Sequence, residues 1–211
     1  DGTARAQPAA GQVPFGPSPD SLPIVILVEG RIALTLHGAA DLRAVDALAE
    51  HGVSARVGAT QELFSVPIAG GTSVRLSTGG LFAAGVRFAL GPDGARVAYA
   101  GGSGTGVQLY SAPLDGSAPA IQLTNLPAGR FVRSPVVSPD SSRVVYVADQ
   151  DTQDQFELYS VPMDGSAPPL KLNGALASSV DVGFPVVDPT GARVVYLSGG
   201  QLDSVPIDGS A

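Results

Sequence analysis

The sequence predicts an all-β fold, a β-propeller of about four blades, each a four-stranded antiparallel sheet, and three observations predict it. One segment, typified by Leu-Tyr-Ser-Val-Pro-Met-Asp-Gly, recurs at 62–71, 108–117, 157–166 and 201–210. A Pro-Asp-Gly-like turn precedes each of the last three copies and begins 13–19 residues before it. The copies follow one another with a period roughly in the mid-forties of residues, which is the size of one propeller blade.

Composition is consistent with a folded core and narrows the choice of partner. The chain has 211 residues, of which 44% are hydrophobic, and its 27 Gly and 18 Pro recur at turns. A net charge of −7 with the single lysine Lys171 predicts no nucleic-acid partner, because no basic stripe can neutralise phosphates. The longest apolar run, 22–28, is too short to cross a bilayer, and the first residues show no secretory signal. We therefore expect a protein that does not span a membrane.

The first two strands of each unit form a hairpin. Turns at 91–94, 138–141 and 188–191 begin with a residue before Pro and continue with Asp, Thr, Ser or Gly, which are turn formers. Apolar stretches such as 134–137 and 184–187 precede these turns as inner strands. Arg-Val-Val-Tyr-like segments follow them as second strands.

The repeated Leu-Tyr-Ser-Val-Pro segment predicts the third strand, because its side chains alternate with a period of two. Its Pro removes a ladder donor and suits a strand that is leaving the sheet. Asp-Gly then turns the chain, and 120–124 or 169–173 predicts the outer fourth strand.

The first unit is degenerate, with strands predicted at 23–28 and 31–36 around a turn at 29–30. An insertion before its third strand, Leu63–Pro67, holds a predicted helix at 39–51, where Leu42, Val45 and Leu48 share one stripe. The predicted organisation is an N-terminal tail at 1–16, followed by propeller repeats over 17–211. The four blades are predicted at about 17–80, 81–126, 127–174 and 175–211.

The last unit has no outer strand after Asp208, so we expect a three-stranded sheet with an unpaired edge. The segment 12–16 is one candidate to close this sheet. A neighbouring chain adding a strand is the other.

The unit that combines Ser-Pro-Asp-Ser-Ser-Arg-Val-Val-Tyr-Val-Ala-Asp (138–149) with Phe-Glu-Leu-Tyr-Ser-Val-Pro-Met-Asp-Gly (156–165) resembles the WD40-like propeller repeat of TolB proteins and of prolyl-oligopeptidase-type peptidases. The resemblance covers 81–210 well and 17–80 loosely. It implies a propeller fold and a location in the periplasm, at the cell surface or outside the cell. Family propellers have about six to eight blades. The four counted here predict part of a longer protein, a ring completed by a second copy, or an open arc.

Catalytic motifs are sparse in the sequence. The two histidines, His37 and His51, flank the predicted helix, and no Gly-x-Ser-x-Gly nucleophile elbow occurs. The Gly-rich segment 101–106 lacks the Lys-Ser/Thr ending of a phosphate loop, and a strand follows it, so we interpret it as a hairpin loop. The sequence predicts no catalytic residues, no bound cofactor and no enzymatic activity.

One acidic segment is a candidate metal site. Asp149, Asp151 and Asp154, followed by Glu157, place carboxylates at spacings that suit a hard cation such as Ca²⁺. The EF-hand pattern fails, because the expected Gly and the acid at the twelfth position are missing. An exposed polar loop is the alternative interpretation.

Two further sets of charged residues recur with the repeat, and we assign both to the stability of the blades. Acidic residues before Gly are turn formers, and arginines at the start of second strands are expected to pair with neighbouring turn aspartates. The aspartates are Asp115, Asp164 and Asp208, and the arginines are Arg96, Arg143 and Arg193.

These features favour a non-enzymatic propeller module for protein–protein interaction or self-assembly, in the cell envelope or outside the cell. Its partner is a protein, and a homo-oligomer or filament formed through the unpaired edge is a sharper version. One alternative is the gating propeller of a prolyl-oligopeptidase-like peptidase. Another is a propeller that binds a metal or small ligand.

Overall fold

The computed structural model describes residues 25–28, 31–34, 56–57, 60–61, 63–67, 72–77, 88–102 and 105–210. The described residues form strands and turns without a helix. Four antiparallel sheets follow one another along the chain, and we call them blades 1 to 4. The predicted all-β propeller fold is confirmed.

Blade 1 is a four-stranded sheet of order β1-β2-β5-β6, and a separate two-stranded hairpin, β3-β4, lies within its insertion. In blade 1, strands β1 and β2 are antiparallel, and Val28 pairs with Arg31. Its strands and those of the hairpin are β1 (Val25–Val28), β2 (Arg31–Leu34), β3 (Arg56–Val57), β4 (Thr60–Gln61), β5 (Phe64–Pro67) and β6 (Val74–Arg75).

Blades 2 and 3 each have four strands in chain order, from an inner strand to an outer one. Blade 2 consists of β7 (Phe88–Leu90), β8 (Arg96–Gly101), β9 (Gln108–Pro113) and β10 (Ile121–Gln122). Blade 3 consists of β11 (Val132–Val137), β12 (Arg143–Ala148), β13 (Glu157–Pro162) and β14 (Leu170–Lys171). The short outer strands lie inside the predicted segments 120–124 and 169–173.

Blade 4 has three strands, β15 (Val182–Val187), β16 (Arg193–Ser198) and β17 (Gln201–Pro206). Its register repeats that of blade 3, because Arg193 pairs with Pro206 as Arg143 pairs with Pro162. Within the described residues, β17 is hydrogen-bonded to β16 alone, whereas β13 lies between β12 and β14. The three strands predicted for the last sheet are present, and the unpaired edge stays a prediction.

The turns between first and second strands form as predicted. The N–H of Ser141 donates to the carbonyl of Ser138 at 2.8 Å, and that of Gly191 donates to the carbonyl of Asp188 at 2.9 Å. The inner strands β11 and β15 both carry a bulge, between Arg133 and Val136 and between Gly183 and Val186. A bulge bends a strand and strengthens its twist, so the same local device shapes both inner strands.

The core lies between the sheets, in one apolar cluster for each pair of neighbouring blades. We call the side of a blade that meets the preceding blade its front face, and the side that meets the next blade its back face. Blades 1 and 2 enclose Leu63, Leu76, Val97, Tyr99, Ala112 and Leu114. Blades 2 and 3 enclose a cluster that includes Ala98, Ala100, Leu109, Val144, Tyr146 and Met163. Blades 3 and 4 enclose Val145, Val147, Phe156, Leu158, Leu172, Val182, Val194, Tyr196 and Ile207.

Several sequence predictions lie outside the described residues, namely the N-terminal tail at 1–16 with its closing strand at 12–16, the turn at 29–30 and the helix at 39–51. The strands of the four sheets fall within the ranges predicted for the four blades. In the described part of the chain, we find no helix with the length and apolar character needed to span a membrane.

Candidate functional site

The loop between β12 and β13 holds the predicted calcium ligands. Asp149 is fully buried, and its carboxylate accepts the N–H of Phe131 at Oδ1 (2.6 Å) and the N–H of Asp154 at Oδ2 (3.2 Å). Its own backbone carbonyl accepts Nη1 of Arg130 at 2.8 Å. Asp149 therefore closes the loop and ties it to the segment entering β11.

Asp151 of this loop and Glu157 at the start of β13 contact a lysine. Nζ of Lys171 lies 2.5 Å from Oε1 of the buried Glu157 and 3.3 Å from Oδ2 of the half-exposed Asp151. Oε2 of Glu157 also accepts the hydroxyl of Tyr159 at 3.2 Å. No group of three or more His, Cys, Asp or Glu side chains arranged for a metal is found in the described part of the chain. The calcium site at Asp149, Asp151 and Asp154 stays a prediction.

The recurring Asp-Gly steps are turns in which the aspartate bonds the local backbone. Oδ1 of Asp164 accepts the N–H of Ser166, and Oδ1 of Asp208 accepts that of Ser210, each at 3.0 Å. Hydrogen bonds from Ser166 lower the pKa of Asp164, and those from Ser210 lower the pKa of Asp208. Oδ1 of Asp115 accepts the N–H of Ser117 in the same way. This geometry agrees with the structural role expected from the sequence.

The recurring arginines bond a serine on the third strand of their own blade. Nε of each donates to a serine Oγ, at 2.8 Å from Arg96 to Ser111, 2.7 Å from Arg143 to Ser160 and 2.8 Å from Arg193 to Ser204. The aspartates expected as partners of these arginines lie in the following blade, where the positive charge of the arginine lowers their pKa. After the larger effect of their serine partners, Arg96 contributes to the lowered pKa of Asp164, and Arg143 to that of Asp208.

A surface depression of about 480 Å³ lies where these arginines and turns meet. Arg96 from blade 2 and Arg143 from blade 3 contribute to its wall, together with the turn residues Ser141 and Asp164. The guanidinium groups are oriented by the serines described above, and the carboxylate of Asp164 contributes the opposite charge. The depression is a polar junction between two blades.

The feature of blade 4 that the sequence analysis missed is its exposed apolar back face. We define this face by six residues, Val186, Arg193, Val195, Leu197, Leu202 and Ser204, which the register places on one side of the sheet. Leu202 is 71% exposed, Val186 60% and Leu197 38%. The unbroken run Val-Val-Tyr-Leu at 194–197 was the available signal, because successive side chains of a strand point to opposite faces and such a run therefore makes both faces apolar.

Phe184 adds an exposed aromatic ring on the inner strand of the same blade. Its φ is +52°, and its side chain is 80% exposed. A left-handed conformation costs an L-residue other than Gly about 1–2 kcal/mol, so the bulge of β15 holds this residue in a strained backbone. The equivalent position in β11 is Ser134, with a φ of +50°.

Comparison with solved structures gives the class of protein. A TolB protein from Agrobacterium tumefaciens matches with a TM-score of 0.56 and 18% identity, over 86% of this chain and 59% of that chain. TolB from Acinetobacter baumannii matches with a TM-score of 0.53 and 15% identity, over 85% and 39% of the two chains. The chain thus has a TolB-type β-propeller fold, and it spans about 59% and 39% of the length of these relatives.

Peptidases that contain a similar fold match to the same extent. A puromycin-hydrolysing peptidase from Mycobacterium tuberculosis matches with a TM-score of 0.53 and 19% identity, over 90% of this chain and 29% of that chain. A prolyl endopeptidase matches with a TM-score of 0.56 and 16% identity, over 89% and 27%. No family model matches the chain, and no curated protein does.

Proposed function

We propose that this protein is a non-enzymatic propeller module that works by binding another protein through the open end of its array of blades. The exposed back face of blade 4 carries this proposal, because contiguous apolar surface at a defined place marks an interaction site. The TolB-type fold and the resemblance of the repeat support a location in the cell envelope or outside the cell.

The edge of β17 is a second recognition element beside this face. Within the described residues it bonds no fourth strand, whereas the equivalent strand β13 pairs through Tyr159 and Ser160 with β14. An added strand on β17 would satisfy backbone groups, while side chains of the partner would cover Leu202. Self-assembly through this edge belongs to the same proposal.

Recurring polar groups of the blades support a role in binding over one in catalysis. The aspartates before Gly bond their own turns, and the arginines bond serines of their own sheet. Side chains held in this way stabilise blades and leave the loops and open faces for recognition. The alternative of a gating propeller rests on the likeness to peptidases, and a Gly-x-Ser-x-Gly motif in a longer gene product would favour it.

Photo-crosslinking tests the proposal. A photoreactive amino acid at Leu202 should give a discrete crosslinked protein in cells that naturally produce this chain, because the side chain points out of the back face. The same amino acid at Gln201, an exposed neighbour on the opposite face of β17, is the matched control. Equal crosslinking at both positions, or none at Leu202, would contradict binding at this face.

A further inference from the structure

The back face of blade 4 repeats surfaces that are buried in the preceding blades. Leu158 and Leu202 occupy the same register position in blades 3 and 4, opposite Val147 and Leu197 respectively. Leu158 is 0% exposed and Leu202 is 71% exposed. Equivalent leucines are therefore covered by a neighbouring sheet in blade 3 and exposed in blade 4.

The equivalent back faces are covered in the same way at the two junctions on either side of blade 3. The back face of blade 3 packs against Val194, Tyr196 and Ile207 on the front of blade 4. The back face of blade 2 packs against the corresponding Val144, Tyr146 and Met163 on the front of blade 3, where Val and Tyr again lie two residues apart and the third residue again precedes Asp-Gly. A back face of this repeat is thus complementary to a front face built of Val-x-Tyr and of the apolar residue before Asp-Gly.

A charge pattern accompanies the apolar one. Arg96 and Arg143 lie at the back-face edges of blades 2 and 3, near enough to Asp164 and Asp208 of the following blade to affect the ionisation of those aspartates. Arg193 makes the equivalent hydrogen bonds on blade 4. Its Nε donates to Oγ of Ser204 (2.8 Å), and its Nη2 donates to the carbonyl of Ser204 (3.0 Å). By analogy with Arg96 and Arg143, we expect Arg193 to lie near an aspartate of the sheet that packs on this face.

The first blade of a second copy lacks this aspartate. Its strands β2 and β5 have the register of the later blades, with Ile32 opposite Val66 as Val144 is opposite Val161. The residue at the position of Asp164 and Asp208 is, however, Ala69. As the occupant of the back face of blade 4, a blade with the Asp-Gly turn is therefore favoured over the first blade of another copy, because its aspartate complements the charge of Arg193.

We propose, building on the function proposed above, that the back face of blade 4 is the docking surface for a further blade of this same repeat, one with a Val-x-Tyr second strand and a Pro-x-Asp-Gly turn. The new sheet continues the stacking seen between blades 2 and 3 and between blades 3 and 4. Its apolar front covers Leu197 and Leu202, and its turn aspartate faces Arg193.

A tandem duplication supplies this occupant at high effective concentration. The 44 residues from Pro168 to Ala211 are appended a second time after Ala211, which adds an outer strand next to β17 and a further copy of blade 4. Because the chain has no cysteine, Leu202→Cys gives one thiol on the back face, and Gln201→Cys gives one on the opposite face. Maleimide labelling rates are measured for both variants in the original and the extended chain.

Extension should slow labelling of the Leu202→Cys thiol at least tenfold, leave the Gln201→Cys thiol within about twofold, and raise the Tm. Arg193→Glu should remove part of the gain in Tm in the extended chain, and changing the aspartate of the appended turn to Arg should restore it. Circular dichroism checks that the appended residues add strand content.

Three results would overturn the inference. An extended chain whose Leu202→Cys thiol reacts as fast as in the original excludes docking of this repeat. Protection of that thiol in the original chain as its concentration rises identifies a second copy as the occupant. A crosslinked partner at Leu202 that contains no such repeat leaves the proposed binding function intact and removes this inference alone.

Discussion

At the scale of the residue, one hydrogen bond recurs in three blades with very different exposure. Arg143 bonds Ser160, which is fully buried between blades 3 and 4, and Arg193 bonds Ser204, which is exposed on the back face of blade 4. Their lengths, 2.7 and 2.8 Å, are nearly equal. The environment therefore decides how much each bond contributes to stability.

Ser160→Ala should lower the free energy of unfolding by about 1–2 kcal/mol, because it leaves the Nε–H of Arg143 without its acceptor at a covered junction. Ser204→Ala removes the same bond in contact with water and should cost less than about 0.5 kcal/mol. Urea denaturation of both variants measures the difference. Equal losses would show that blade 4 does not cover Ser160.

Asp188 gives the stability a dependence on pH. Its carboxylate accepts the N–H of Arg193 at 2.9 Å and the hydroxyl of Thr190, and these bonds lower its pKa below the ordinary 3.8. A lowered folded-state pKa stabilises the fold above about pH 4, and this contribution is lost as the pH falls through the folded value. Tm should therefore fall between about pH 4 and pH 2, and less steeply in Asp188→Asn. An identical fall of Tm below pH 4 in the original chain and in Asp188→Asn would exclude this role.

At the scale of the element, the contribution of a strand to stability depends more on the sheets that cover it than on its own sequence. β13 and β17 share a Leu-x-Ser-Val-Pro core. The first is enclosed by sheets on both faces, with Leu158 and Val161 at 0% exposure, and the second has one covered face. Equivalent leucines in the two strands therefore report whether a neighbouring sheet is present.

Leu158→Ala should cost about 2–5 kcal/mol, the range for truncating a leucine in a packed core. Leu202→Ala at the same register position should cost less than about 0.5 kcal/mol, since the side chain is mostly in water. Chemical denaturation of the two variants under the same conditions tests this. A large loss for Leu202→Ala would mean that the back face of blade 4 is already covered in solution.

At the scale of the whole molecule, stacking makes stability uneven along the array. Among the described residues, blade 3 is packed on both faces and blade 4 on one. Backbone hydrogen bonds join the two blades, such as that from the N–H of Val182 to the carbonyl of Phe156 at 2.7 Å. Sheets that contact only their neighbours open most easily where a neighbour is missing.

Hydrogen exchange should show this gradient in the central strands, with amides of β12 protected more strongly than those of β16. Both strands are hydrogen-bonded on both sides, so edge pairing does not contribute to the difference. Mass spectrometry of peptides covering the two strands measures the protection. Equal protection would indicate that the blades unfold as one cooperative unit.

Local patterns in the sequence predicted most of the described strands. Pro-Asp-Gly-like steps set the hairpins, because Pro fixes φ and the side chain of Asp bonds the backbone two residues later, as Asp164 does with Ser166. Alternation in Leu-Tyr-Ser-Val-Pro predicted β9, β13 and β17 for the same local reason. These features need no knowledge of distant contacts.

The sequence by itself determined the repeat and its turns. Only the tertiary structure decided which equivalent positions are buried, because burial depends on whether a neighbouring sheet exists and not on the residue itself. Leu158 and Leu202 are the same residue in the same register, yet one is enclosed and the other faces solvent. The serine partners of Arg143 and Arg193 likewise became visible with the strand register, which brings residues of neighbouring strands together across a sheet.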